Sequence, residues 1–181
     1  MGNIWHDIDV KRITPTDFVG FIEIPKGSSC KYELDKDSGV LILDRLLYTS
    51  THYPMSYGFI PKTLGDDGDP LDIVVLCDEP IVQNCLVQCY PIGVMNMLDG
   101  GKRDEKIISI PFGDPTFNGF KDIKELPTHR FEELIHFFSI YKDLEGKETI
   151  VDEIQGHEAA EKVIVSCLEL YNKSYGGKQS L

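Results

Sequence analysis

Short apolar runs separated by turn-forming residues fill the chain up to about residue 115, and they restrict the possible folds more than any other feature. The runs span residues 18–24, 31–35, 40–45, 73–76, 86–90, 92–98 and 107–110. Gly, Pro and Asp lie between them, which is typical of turns. Strands that recur about every ten residues, with turn signals between them, predict a barrel or a sandwich.

The last third of the chain has a helical period instead. One apolar face recurs at helical spacing in Phe131, Leu134, Ile135 and Phe138. Thr128 is a candidate N-cap of this helix, and Gly146 follows its end. A second apolar stripe comprises Ala160, Val163, Ile164, Cys167 and Tyr171, with Gly176 and Gly177 after it.

Residues 149–154 predict one more strand between the two helices. We therefore expect an α+β, mainly β fold in one domain over residues 1–181. The barrel core is expected at about residues 18–115, with a helical cover at about 120–175.

The charge balance excludes several classes of partner. The chain has 30 acidic and 18 basic side chains, a formal net charge of −12. Such a chain has no general attraction for nucleic-acid phosphates or for anionic membranes, and no apolar run is long enough to span a bilayer. The acidic excess is either a solvated surface or a group of carboxylates that needs cations.

The five cysteines are odd in number, and no secretory signal precedes the first strand. We therefore expect free thiols in a reducing cytoplasm. Cys85 and Cys89 have the spacing of a metal-binding pair, but no second Cys/His pair completes a zinc site. Burial in a strand is the alternative interpretation of these two residues.

One loop concentrates negative charge, with four aspartates at positions 66, 67, 69 and 72. Two unit charges about 4 Å apart repel by about 4 kcal/mol at an effective dielectric constant near 20. Pro70 stiffens the loop, Gly68 permits a conformation that other residues avoid, and Asp72 enters an apolar strand. A rigid acidic loop of this kind predicts a site for magnesium, manganese or calcium. An ordinary acidic turn is the alternative.

The calcium-binding EF-hand does not fit this loop. That motif needs Asp or Asn at position 5 and Gly at position 6. Counted from Asp67, these positions hold Leu71 and Asp72. No helix pair flanks the loop either.

A second acidic patch and several phosphate-binding donors accompany the loop. Asp99 and Asp104 flank the turn formed by residues 99–106. The cationic and phenolic candidates are Lys31 on one strand face with Glu33, Arg45 at a strand end, and Tyr141-Lys142 at a helix end. Carboxylates that hold cations beside Lys, Arg and Tyr donors are typical of sites that work on phosphate groups.

These motifs resemble the soluble family I inorganic pyrophosphatases, in the short form found in bacteria. Residues 67–73 read Asp-Gly-Asp-Pro-Leu-Asp-Ile and match the family signature. Other family elements follow in family order at residues 22–25, 31–33, 44–45, 53–58, 91–94, 99–106 and 141–143. The resemblance covers roughly residues 18–175.

The resemblance implies a small closed OB-like β-barrel with two main helices packed outside it. It also implies hydrolysis of pyrophosphate to two orthophosphates with three or four Mg²⁺ ions, for which Mn²⁺ or Zn²⁺ are possible substitutes. The implied metal ligands are Asp67, Asp72, Asp104, Asp99, Glu23 and Glu33. The implied catalytic residues are Asp69 as general base, Lys31, Arg45, Tyr141 and Lys142 as phosphate ligands, and Tyr57 and Lys106 as supports.

Metal chemistry agrees with these roles, because magnesium ions that share Asp72 can lower the pKa of a bridging water and Asp69 can accept its proton. The chain departs from the family at Gly100, where members often have an acidic residue, so loop flexibility and metal affinity can differ.

The resemblance also implies a homohexamer, with His136 as an interface candidate. Two alternatives remain: a non-catalytic metal-binding module, and a phosphohydrolase of tripolyphosphate or nucleotides. The absence of a Gly-rich phosphate loop disfavours nucleotides.

Overall fold

The computed structural model describes residues 2–176. The α-helices within this range are α1 Ile4–Asp7, α2 His129–Ile140 and α3 His157–Tyr175. The strands are β1 Ile13–Thr14, β2 Asp17–Ile24, β3 Cys30–Leu34, β4 Leu41–Leu46, β5 Ser56–Phe59, β6 Asp72–Val75, β7 Cys85–Asp99, β8 Lys102–Arg103, β9 Lys106–Pro111 and β10 Thr149–Gly156. Short 3-10 turns occur at Val10–Arg12, Ile123–Glu125 and Asp143–Glu145.

Five strands form a hydrogen-bonded ring. Strands β2, β5, β6, β9 and β7 pair in that order, and β7 also pairs with β2. The β6–β9 pair is parallel and the other pairs of the ring are antiparallel. The expected α+β, mainly β class is thereby confirmed, with a mixed sheet at its centre. Strands β3 and β4 form a separate hairpin.

The interior of the molecule follows the apolar runs of the sequence. Ile73, Val74 and Val75 of β6 are almost fully buried, and β6 lies in register with Ile107 and Ile108 of β9. A strand that is buried on both faces reads as a continuous apolar run rather than as an alternating one. Leu134 and Phe138 of the first predicted helical face are buried in one cluster with Phe137, which was not part of that face, while Phe131 and Ile135 are half-buried. Ala160, Ile164 and Cys167 of the second face are buried in another cluster.

The structure differs from the strand predictions in two places. Runs 86–90 and 92–98 are not separate strands but parts of β7, which is 15 residues long. The turn signal was Pro91, which instead lies at an irregularity of the β7–β9 ladder, where the missing N–H is tolerated. Strand β5 was not predicted, because Pro54 and Gly58 interrupt its short apolar run.

The helix boundaries agree in part with the sequence signals. Thr128 precedes α2 but its side chain makes no capping hydrogen bond. Gly146 has a left-handed backbone, yet it ends the 3-10 turn Asp143–Glu145 rather than α2 itself. Gly176 follows α3, whereas Gly177 lies outside the described residues. Within residues 2–176, no helix combines the length and the apolar character needed to cross a membrane.

Candidate active site

A cavity of about 340 Å³ collects most of the predicted site residues. It is lined from β2, β3, β5, β6, β7 and β9, by the loop before β6, and by the residues after α2. Its carboxylates are Glu23, Glu33, Asp67, Asp69, Asp72, Asp99 and Asp104. Its lysines are Lys31, Lys36, Lys106 and Lys142. Seven acids face four lysines, so the cavity has an excess of negative charge that favours additional cations.

The acidic loop turns tightly before it enters β6. The backbone of Gly68 has a φ of 93°, which glycine adopts at little cost. The Gly65 N–H donates to the Asp69 carbonyl at 2.7 Å, and the Asp69 N–H donates to the Asp67 carboxylate at 3.0 Å. Burial raises the pKa of Asp67 above its usual value. The loop is therefore held by its own hydrogen bonds, and its residues Asp67, Asp69 and Asp72 line the cavity.

Lys106 is the centre of the most buried part of the site. Its side chain is 1% exposed, and its ammonium donates to Asp72 at 2.7 Å and to Asp104 at 2.8 Å. Burial disfavours the charged ammonium, but Asp72 and Asp104 outweigh burial and raise the Lys106 pKa well above its usual value. Lys106 thus stays charged and holds the two carboxylates on either side of it.

Tyr57 completes this network. Its hydroxyl donates to Asp72 and accepts from the Lys106 ammonium at 3.1 Å. Burial and the charge of Asp72 raise the Tyr57 pKa, so the phenol keeps its proton. Burial also raises the pKa of Asp72, although Lys106 opposes this shift. The tyrosine therefore orients Asp72 as a neutral donor.

Glu23 is the most strongly perturbed carboxyl of the cavity. It is 7% exposed, and it accepts a hydrogen bond from the Leu34 N–H at 2.7 Å. Burial, followed by the charge of Asp72, raises the Glu23 pKa to about 8. A nearby cation would favour the ionised carboxylate, because an opposite charge lowers the pKa.

The remaining lysines of the cavity each contact a carboxylate. Lys31 pairs with Glu33 across one strand face of β3, and Lys142 pairs with Asp99 at the end of β7. Lys142 is buried, and it follows the buried Tyr141, whose pKa burial raises. An ammonium in such an ion pair is also a donor suited to phosphate oxygens.

Arg45 lies beside the cavity rather than among the residues that line it. In the β3–β4 hairpin the backbone of Arg45 lies opposite that of Lys31. The Arg45 side chain donates to Asp44, and its Nε donates to Glu145 at 2.8 Å. Its Nη2 is buried without a hydrogen-bond partner among the described residues. A buried guanidinium nitrogen that lacks an acceptor is a suitable donor for an anionic ligand.

The donor set of the cavity fits hard divalent cations. All seven acids offer oxygen, which magnesium, manganese and calcium prefer. Within residues 2–176, however, no three carboxylate, imidazole or thiol groups lie close enough together to hold an ion as they stand. Three of the carboxylates form ion pairs with lysines instead of pointing towards a common centre: Asp72, Asp99 and Asp104.

Several neighbours of the site were not singled out from the sequence. Lys36 and Trp5 line the cavity, and Glu145 contacts Arg45. Lys36 lies in a turn three residues after Glu33, and Trp5 lies far from the motifs in the sequence. Trp5 is the single tryptophan of the chain, and this is the sequence signal that could have drawn attention to the N-terminal segment.

Two other predictions concern residues outside the cavity. His136 is exposed on α2. All five cysteines are free, and Cys89 is fully buried in β7, where burial raises its pKa to about 12. A thiol of this kind keeps its proton, which favours the interpretation of Cys89 as a core residue rather than as a metal ligand.

A ring of strands that presents carboxylates and lysines in one cavity suits the class of hydrolases that act on phosphate groups with divalent metals. Residues 20–172 match the family model described as inorganic pyrophosphatase. Soluble inorganic pyrophosphatase 2 of Chlamydomonas reinhardtii is 50% identical over 171 residues, which cover 94% of this chain and 89% of that protein. The soluble inorganic pyrophosphatase of Oryza sativa subsp. indica is 46% identical and covers 92% and 78%.

Solved structures of inorganic pyrophosphatases are also similar to this chain. An inorganic pyrophosphatase from Helicobacter pylori has a TM-score of 0.87 at 41% identity and covers 92% of this chain and 99% of that one. The inorganic pyrophosphatase from Thermus thermophilus has a TM-score of 0.90 at 35% identity, with coverage of 94% and 99%. The chain therefore belongs to the soluble family I inorganic pyrophosphatases, whose members need a divalent metal cofactor.

Proposed function

We propose that this protein hydrolyses inorganic pyrophosphate to two orthophosphates with Mg²⁺. The observation that supports the proposal most strongly is the cavity in which seven carboxylates and four lysines meet. The carboxylates suit the cations, and the lysines suit the phosphate oxygens that the cations leave uncovered. The names of the relatives agree with this substrate.

The proposed metal ligands are the carboxylates of the inner cavity. Asp67, Asp72 and Asp104 would hold the ions nearest the attacking water, Asp99 and Asp104 one nearer the substrate, and Glu23 and Glu33 a further ion. Three or four Mg²⁺ ions would neutralise the excess of acids together with the charge of the bound pyrophosphate, and Mn²⁺ or Zn²⁺ could replace them. Bound divalent cations lower the pKa of water and neutralise phosphate charge.

The remaining residues would bind the substrate and move a proton. Asp69 is half exposed at the cavity, so a water molecule can reach it, and it would act as the general base. Lys31, Arg45, Tyr141 and Lys142 would donate to the phosphate groups and compensate the charge that develops on the leaving phosphate. Tyr57 and Lys106 would hold Asp72 in place by the hydrogen bonds described above.

Phosphate release tests this assignment. Pyrophosphate, tripolyphosphate and ATP are offered at neutral pH with Mg²⁺, and pyrophosphate is expected to be the preferred substrate. No phosphate release from pyrophosphate would refute the proposal, and equal rates on tripolyphosphate would favour the broader phosphohydrolase. Calcium should bind yet support little turnover, because its larger and more flexible coordination shell misplaces the water.

The Asp69→Asn variant tests the general base. It should still bind Mg²⁺ in a calorimetric titration but lose about 100-fold or more in kcat, the range expected for a removed general base. Asp37→Asn is the matched control, because Asp37 is an exposed aspartate outside the cavity. Turnover of Asp69→Asn at the wild-type rate would show that another group accepts the proton.

Three further properties are part of the proposal. The chain would form one domain, since β10 and α3 both pack on β7 of the ring. It would act in the cytoplasm, in agreement with its free thiols. It would assemble as a homohexamer, for which the exposed His136 is the interface candidate. Light scattering of wild type and His136→Glu would test the assembly, and an unchanged mass would count against this interface.

A further inference from the structure

The mouth of the cavity contains a lysine that none of the proposed roles uses. Lys36 lies in the turn between β3 and β4, and its ammonium forms an ion pair with Asp69. It also approaches the Gly68 carbonyl at 3.5 Å. Lys36 therefore contacts both the side chain of the proposed general base and the backbone of the loop that presents it.

The ammonium of Lys36 lies over an aromatic ring. It lies 5.6 Å from the centroid of the Trp5 ring, within the range of a cation–π contact. Trp5 is the single tryptophan of the chain, and it is 2% exposed. A rigid, buried ring restricts where a long and flexible lysine can place its charge.

The N-terminal segment holds Lys36 by its backbone as well. The Asn3 side-chain amide donates to the Lys36 carbonyl at 2.8 Å, and the Asn3 side-chain oxygen accepts from the Trp5 N–H at 3.0 Å. The turn that bears Lys36 is itself closed, because the Gly39 N–H donates to the Asp35 carbonyl at 2.8 Å. One asparagine thus fixes the lysine turn to the tryptophan.

Trp5 is in turn attached to the segment that leads into the acidic loop. Its indole N–H donates to the Thr63 carbonyl at 2.8 Å, and the Thr63 hydroxyl accepts from the Leu71 N–H at 2.8 Å. Lys36 and Asp69 are therefore connected twice: directly by their ion pair, and indirectly through Trp5 and Thr63. An isolated exposed ion pair contributes little, whereas an ion pair anchored at both ends has a defined geometry.

We propose that Lys36, held on Trp5, is a positioning residue that orients the Asp69 carboxylate for the reaction. The inference rests on the proposed function, in which Asp69 is the general base. Lys36 acts through Asp69, and its contribution is the orientation of one carboxylate. A misplacement of about 1 Å near a reacting group is enough to slow a reaction by up to about 100-fold.

Kinetics of Lys36 variants test the role. Lys36→Met keeps the length of the side chain without its charge and should lower kcat by about three- to tenfold while KM changes less than about twofold. Lys36→Arg keeps the charge and should recover most of the rate. Lys121→Met is the matched control, because Lys121 also lies over a ring, that of Tyr90, but outside the cavity; its rate should equal that of wild type.

Coupling to Asp69 separates positioning from a general electrostatic effect. In an Asp69→Asn background, Lys36→Met should cause no further loss, because the carboxylate that Lys36 orients is gone. A wild-type kcat in Lys36→Met would overturn the inference. So would an effect on KM alone, which would make Lys36 a substrate ligand, or a full additional loss in the Asp69→Asn background.

Fluorescence of Trp5 tests the geometry without turnover. The emission maximum of unliganded Lys36→Met should differ from that of wild type, since the ammonium lies over the only indole, while Lys121→Met should match wild type. Identical spectra for Lys36→Met and wild type would overturn the stacked arrangement. If wild type released no phosphate from pyrophosphate, the proposed function would fail, and the spectra would still decide whether Lys36 lies on Trp5.

Discussion

Glu23 is expected to destabilise the metal-free protein, and replacing it with glutamine should make that protein more stable. Burial and the charge of Asp72 raise the Glu23 pKa from 4.5 to about 8. The folded state therefore holds a proton that the unfolded state releases, so the free energy of unfolding falls as pH rises from about 4.5 to about 8. The free energy of unfolding falls by about 1.4 kcal/mol for each pH unit above the unfolded-state pKa of 4.5, which amounts to about 3 kcal/mol at pH 7.

Glu23→Gln removes this loss with little change in shape. The amide is neutral at every pH, and its oxygen can still accept from the Leu34 N–H. In buffer with a chelator, we expect the variant to exceed wild type by about 3 kcal/mol at pH 7, with a difference close to zero at pH 4. Because Glu23 is also a proposed metal ligand, the more stable variant should be the less active one.

Urea denaturation between pH 4 and pH 8 measures the effect, with and without Mg²⁺. Magnesium should stabilise wild type more than Glu23→Gln, because a charged carboxylate binds the cation more strongly than a neutral amide oxygen does. Glu169→Gln is the control, since Glu169 is exposed on α3, and its free energy of unfolding should stay within about 0.5 kcal/mol of wild type. A Glu23→Gln protein no more stable than wild type at pH 7 would refute the reasoning.

Two further predictions concern the same cavity. Lys106→Met leaves the partly buried carboxylates of Asp72 and Asp104 without their cation and should lower the free energy of unfolding by about 3 kcal/mol in urea without metal. Lys121→Met should have almost no effect, and a loss below about 1 kcal/mol in Lys106→Met would contradict the central role of Lys106. Gly68→Ala forces a side chain into a left-handed conformation and should cost about 1–2 kcal/mol and weaken Mg²⁺ binding. Gly119→Ala is its control, because Gly119 has equally open space but no positive φ, and equal effects of the two substitutions would exclude backbone strain as the cause.

The sequence alone determined the class of fold and the residue types of the candidate site. Apolar runs and their turn signals predicted the strands, because burial requires apolar side chains at fixed periods. The acidic loop predicted a cation site, because Asp67, Asp69 and Asp72 repel one another within a few residues of chain. Where the prediction failed, as at Pro91, a local turn signal was overridden by the ladder of β7 with its neighbours.

Only the tertiary structure decided which charges meet. Asp72 and Asp104 lie 32 residues apart in the sequence, and it is the parallel pairing of β6 with β9 that brings Lys106 opposite Asp72 and between the two carboxylates. The raised pKa of Glu23 depends on burial, which no local pattern reports. The same is true of Trp5, which reaches the cavity mouth from the start of the chain. The sequence specifies which side chains are acidic and which are basic. The distances between them and their solvent exposure, which set the strength of their interactions and their pKa values, arise from long-range packing.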